Sequence, residues 1–150
     1  MSVSGNLRDM GIKLPLPHKH TLRYASVLHD KKQGLVFISA QLPYTNGGDL
    51  MIGKLVDETN LRLGQRASHV VVLNILSVFA KEMGSVDLIK RFMRVAGYIN
   101  SQPNFTLHNE VMSGGLELIA KLFPGQPYPT MMAIGVNSLP HNAVLEMSAV

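Results

Sequence analysis

The sequence predicts an α+β fold, with two helices laid on one face of a sheet in the order β-β-β-α-β-α-β-β. Three observations predict it. Short segments with strand-like apolar patterns, bounded by Gly, Pro and Asn, occur on both sides of the chain's middle. Two stretches of helical period separate some of them. The chain has 150 residues, 46% apolar and 16% charged, a size and balance at which one domain can bury its own core. A single domain over residues 1–150 is expected, with 1–20 as an extended N-terminal arm.

The arm contains "KLPLPH", where each proline removes a backbone donor and pushes the preceding residue out of helical space. "TLRYASVLH" follows with β-branched and aromatic content. "GLVFISAQLP" is apolar on both parities, as a central strand covered on both faces would be. "TNGGDL" signals a turn, and "LMIGKLV" reads as a short third strand returning from it. From about Asn60 to Glu82, Leu63, Ala67, Val70, Val71, Asn74, Ile75 and Val78 recur at helical spacing. Arg62, Arg66, Lys81 and Glu82 mark the wet side, and Gly84 supplies the stop. "LIKRFMRVAGYIN" reads as a strand, and "HNEVMSGGLELIAKLF" as a second helix ended by Pro124 and Gly125. "TMMAIGVNS" and "AVLEMSAV" close the chain as two strands joined by the tight "LPHN".

Composition narrows the function classes. With no cysteine, a disulfide scaffold, a cysteine-type zinc finger and a thiol nucleophile are excluded, and a reducing, cytoplasmic setting is expected. The opening "MSVSGNLRDM" lacks the apolar stretch of a secretory signal, and no run approaches the ~20 apolar residues of a membrane span. A net charge of +4, with basic clusters at Lys31 and Lys32 and at Lys90, Arg91 and Arg94, suits an anionic metabolite or RNA without requiring either. The aliphatic content exceeds what a monomer's surface needs, and it points to a subunit interface.

No P-loop, Rossmann fingerprint, nucleophile elbow or His-Glu-x-x-His pair is present. The glycines of "NGGD" and "MSGG" read as turn and close-packing residues. His18 and His20, at i and i+2, would share one face of an extended chain and could seat a metal, although a solvated arm gives the same pattern and no third ligand is evident. No metal and no cofactor are expected. His69 and His108 read as surface or capping residues.

The C-terminal strands say more. With "LPHN" as a hairpin loop, Gly135 opposes Glu146 and Ala133 opposes Ser148. Met131, Ala133, Gly135, Glu146 and Ser148 then share one face, while Met132, Ile134, Val136, Leu145 and Met147 lie beneath the helices. Glu146 sits on the side away from the helices, in an otherwise apolar strand. There it either makes a structural bond across an interface or serves as an acid, base or water-holder in a cleft.

"GLVFISAQLP", the long helix with Asn74, "VAGYINSQPNF", "HNEVMSGG" and "IGVNSLPHNAVLEMSAV" together resemble the Rid/YjgF family of reactive-intermediate deaminases, also called L-PSP endoribonucleases. "NLRDMGIKLPLP" extends the resemblance to a subgroup that begins with a similar arm. The resemblance implies a homotrimer of chorismate-mutase-like subunits, with mixed sheets lining a central barrel and a ligand cleft between each pair of neighbours. In deaminating members an arginine near the start of the penultimate strand grips the substrate carboxylate. A glutamate on the last strand helps position a water that hydrolyses an enamine or imine to ketone and ammonia.

Carried over, the strand motif falls on Ser39, Ala40 and Gln41, the first-strand aromatic on Tyr24, the asparagine opening the second helix on Asn109, and the acid on Glu146. The arginine position holds Met131, in "YPTMMAIGV" where the subgroup reads roughly His-Ala-Arg-Ser-Ala-Val-Gly-Val. A guanidinium grips a carboxylate by two charge-assisted bonds of roughly 1.5–3 kcal/mol each, which methionine cannot make. Lys54 is a point charge that could substitute. Three readings stay open: a cleft that binds or hydrolyses a small molecule, with Glu146 as the catalytic residue and Tyr24, Ser39, Ala40, Gln41, Asn109, Met131 and Ala133 as ligand contacts; a structural or binding paralogue; and an RNA-binding or endoribonuclease-like protein. No membrane partner is expected.

Overall fold

The computed structural model describes residues 2–150. Helix α1 (Val3–Asp9) leads into β1 (Val27–Asp30), β2 (Leu35–Gln41), α2 (Leu61–Met83), β3 (Arg94–Asn100), α3 (His108–Leu122), β4 (Thr130–Val136) and β5 (Leu145–Ala149). The five strands form one mixed sheet in the order β1-β2-β5-β3-β4, antiparallel throughout except for the parallel pair β3–β4.

The arm is not extended over its first half. Ser2 accepts a hydrogen bond from the Gly5 N–H at 3.0 Å and so caps α1, whose Val3 and Leu7 are buried. Asp87 accepts bonds from the Ser4 N–H and hydroxyl at 2.7 and 2.6 Å, and the Asn6 side chain donates to the Leu122 carbonyl at 2.8 Å. "LMIGKLV" also departs from expectation. It contributes isolated bridges, Ile52 to Ala143 and Leu55 to Ser101, to the segments just before β5 and just after β3, both interior strands whose two edges are already paired within the sheet.

The larger correction concerns the C-terminus. β4 and β5 are no hairpin, since β3 lies between them and bonds both. "LPHN" turns the chain sharply, with His141 and Asn142 at positive φ, yet it carries the chain past β3 to the sheet's interior. Ala133 therefore pairs with Gly97, and Glu146 pairs with Tyr98.

Helix α2 is the core element. It is long and apolar enough, by length and composition, to cross a bilayer, but Val71 through Phe79 form an unbroken buried run inside the fold. One side packs on the sheet. Elsewhere it is covered by α3 alongside, by the arm, where the Ser77 hydroxyl donates to the Pro15 carbonyl, and by the segment after β2, where the Asn74 side chain donates to the Tyr44 carbonyl at 2.9 Å. These two polar side chains let a greasy helix carry loops across its back, because each loop carbonyl finds a donor there.

The two helices meet backbone to backbone. A Cβ built on Gly114 would stand 2.1 Å from the Gln65 carbonyl oxygen, and the Ser68 hydroxyl donates to the Val111 carbonyl at 2.7 Å across the same crossing. We expect Gly114→Ala to force the helices apart and cost about 1–3 kcal/mol or more. Gly47→Ala, which meets nothing closer than 3.7 Å, should stay within about 0.5 kcal/mol of the parent. Thermal unfolding of the two variants checks the difference.

Candidate functional site

β5 is bonded on both edges, to β2 and to β3, so its side chains must alternate between two environments. Leu145, Met147 and Ala149 point under α2 and are buried. Glu146 and Ser148 point to the opposite face, which no helix covers, as expected from the sequence. Paired residues share a face, so Tyr98 and Ile134 join Glu146 in one row across the sheet, and Ala96 and Met132 join Ser148 in the next. Phe37 and Leu28, paired on β2 and β1, extend the same face. Leu28 is 63% exposed, Phe37 44% and Ile134 42%, so this is an apolar surface with one carboxylate in its middle.

Glu146 is only half-buried, but burial pushes its pKa above the ordinary glutamate value, and no neighbouring charge contributes to the shift. The neutral acid is thus favoured. In its protonated form such a group can donate a proton or a hydrogen bond, and when ionised it can orient water.

The other residues singled out in the sequence are dispersed in the protomer. Ser39 follows Ile38, which opposes Ala149, and so lies on the face of Ser148 and Glu146; its hydroxyl donates to the Ala25 carbonyl at 2.7 Å. Ala40 sits in an irregularity of β2. Gln41 beyond it pairs with buried Met147 and donates to the Ser39 carbonyl at 2.9 Å. Tyr24 precedes β1 and stacks on His20 with ring centroids 4.0 Å apart, beside the C-terminal end of α2. His18 stacks on Tyr44, and among the described residues no cluster of three His, Asp or Glu is placed to hold a metal. Asn109 is exposed in the first turn of α3.

Met131 and Ala133 pair with Val95 and Gly97 and pack against the core on the helix side. They do not share the face of Glu146. Met132 and Ile134 do, the reverse of the expected alternation. Inserting β3, parallel to β4, replaced the hairpin register that the alternation assumed. Lys54 does not approach Glu146 either; its ammonium donates to the Ser101 and Asn137 carbonyls at the far ends of β3 and β4. Tyr98, Phe37, Leu28 and Ile134 were missed as site residues. Each lies in a recognisable strand, but its facing depends on strand order.

No protein-family model matches the chain. It is 31% identical over 148 residues to Protein TCP17 of Trypanosoma cruzi, covering 98% of this chain and 91% of that one. The chain belongs to the Rid/YjgF family. Among solved structures it superposes on Atu1372 of Agrobacterium tumefaciens, a protein of unknown function, at a TM-score of 0.83 and 29% identity, covering 98% and 89% of the two chains. A Shewanella oneidensis protein whose name carries the word endoribonuclease gives 0.88 at 18% identity, covering 99% and 97%. The conserved Rid protein YyfA of Yersinia pestis gives 0.59 at 18%, covering 91% and 92%. The last two share the fold.

In this Rid/YjgF chain the folded-state pKa of Glu146 lies above its unfolded value, so the native state holds that proton more tightly. The associated stability is present below the unfolded value and is lost as pH rises through the folded one. Glu146→Gln removes the loss. Its melting temperature relative to the parent should rise as pH goes from about 4 to about 7; a difference that stays flat over this range, in parallel thermal melts, would show an unperturbed carboxyl.

Proposed function

We propose that the protein is a homotrimer whose subunits cover one another's open sheet faces and hold a small metabolite in the clefts between them, with Glu146 as the group that donates a proton to the ligand or orients a water against it. The observation that carries this reading is a half-buried carboxyl, without a charge partner, on an otherwise uncovered apolar face. A monomer would leave that face wet and gain nothing from placing the acid there. Closing a neighbour over it would exclude water and strengthen the acid's effect on a bound molecule. Ser39 on the same face supplies a further polar contact. The family resemblance adds hydrolysis of an imine or enamine as the reaction class. The Glu146 carboxyl has no charged neighbour that shifts it, which favours a neutral or weakly polar ligand beside it.

A second reading has its own support. Arg94 pairs with Thr130, and parity places it in line with Ala96 and Tyr98 on the face of Glu146. It stands beside the start of β4, near the backbone position where the family has its arginine. A carboxylate-bearing imine could be held there, with Arg94 in the clamping role.

The test is a paired measurement of mass and turnover. Sedimentation should give three times the 16.4-kDa chain mass. Ammonia release from a panel of neutral and carboxylate-bearing imines should fall about 10²–10⁴-fold in Glu146→Gln. Arg94→Ala should raise KM for the carboxylate-bearing imines alone if the second reading holds, and for none if the first does. A monomer, or turnover indifferent to Glu146, would remove the proposal.

A further inference from the structure

The turn between β1 and β2 and the segment that leads into β3 meet around a cavity near the C-terminal end of α2. Its volume is about 300 Å³, at the small end of the roughly 300–1,000 Å³ usual for small-molecule sites. The floor is apolar. Ile38 and Ala149, partners across β2 and β5, line it together with Phe79 of α2 and Phe92, and all four are buried. The lip is apolar as well but wet, with Leu88 54% exposed and Met93 43%. Single exposed apolar side chains are common on any protein; here two of them border a hollow that is still open.

The rim carries charge of one sign. Lys90 and Arg91 line the cavity, are exposed, and make no side-chain hydrogen bond or ion pair among the described residues. The turn that supplies Gln33 and Gly34 to the wall also carries Lys31 and Lys32, both exposed. Two basic clusters far apart in the sequence are thus brought to one mouth by the pairing of β2 with β5 and of β5 with β3. The acids next to them in the chain are engaged elsewhere. Asp30 accepts from the Lys32 and Gln33 amides at 3.0 and 3.2 Å, Asp87 accepts from Ser4, and neither Asp nor Glu lines the cavity. The Val150 main-chain oxygen, from the last residue in the wall, is taken by the amides of Met93 and Arg94 at 2.7 and 3.2 Å.

We propose that this cavity is a binding site for an amphiphilic monocarboxylate, an aliphatic acid whose chain enters against Phe79 and Phe92 and whose carboxylate stays at the mouth beside Lys90 and Arg91. A neutral hydrocarbon would leave the cations unused, and a small oxyanion would leave the floor empty. The chain supplies most of the affinity: each methylene buried is worth about fourfold, whereas a carboxylate beside a solvated cation gains only about two- to fivefold. The site lies on the helix side of the sheet, because Ala149 alternates with Ser148 and points under α2, opposite the face of Glu146.

The experiment titrates the intact protein with sodium butanoate, hexanoate and octanoate, read by amide NMR, with sodium chloride as the ionic-strength control and 1-octanol as the uncharged analogue. Saturable shifts are expected at Gly34, Ile38, Phe79 and Phe92, with a dissociation constant that falls about three- to fourfold for each added methylene. Lys90→Ala combined with Arg91→Ala, both at exposed positions, should weaken octanoate about three- to tenfold and leave 1-octanol unchanged. Leu88→Glu, also exposed, puts a like charge at the mouth and should weaken octanoate more than 1-octanol. Glu146→Gln should titrate as the parent does, which keeps this outcome apart from that of the proposed cleft. Dissociation constants independent of chain length, 1-octanol bound as tightly as octanoate, or shifts gathered at Phe37 and Tyr98 on the Glu146 face would each overturn the site.

Discussion

The central strand β5 is the constraint on which the rest depends. Hydrogen-bonded on both edges, it cannot twist away or slip without breaking two ladders, and a slip of one residue would exchange its two faces. Leu145, Met147 and Ala149 anchor that register by burial under α2. The register then fixes Glu146 on the uncovered face whatever that carboxyl itself would prefer in water. Burying three apolar side chains at roughly 1.5–3 kcal/mol for the larger ones comfortably outweighs the half-desolvation of one carboxyl. The acid is thus kept in an apolar setting by packing on the other side of the sheet, and its raised pKa follows from that placement.

Much of this was legible in the sequence. The periods of both helices, the stop at Gly84 and the alternation Leu145, Glu146, Met147 are local patterns, and local patterns survive folding. The facing of Glu146 was readable because its own neighbours alternate with it. Strand order was not readable. "LPHN" has the shape of a tight turn and makes one, but a turn does not say which strand its two arms pair with, and here β3 came between them. That single non-local choice moved Met131 and Ala133 to the core side and brought Met132, Ile134 and Tyr98 to the face of the acid. The close packing at Gly135 was invisible for a similar reason: it needs the end of β4 laid against the start of α3, and nothing near residue 135 announces Ser101 and His108, whose side chains fill the space beside it.

The central claim is that packing holds Glu146 as an acid that keeps its proton above the normal range. The most direct measurement is a pH titration of the Glu146 side-chain carboxyl by carbon-detected NMR, with the signal assigned by its absence in a variant lacking that carboxyl. The account predicts a midpoint above the 4.5 of an unperturbed glutamate. A midpoint at or below that value would show the carboxyl solvated or paired, and would contradict the account.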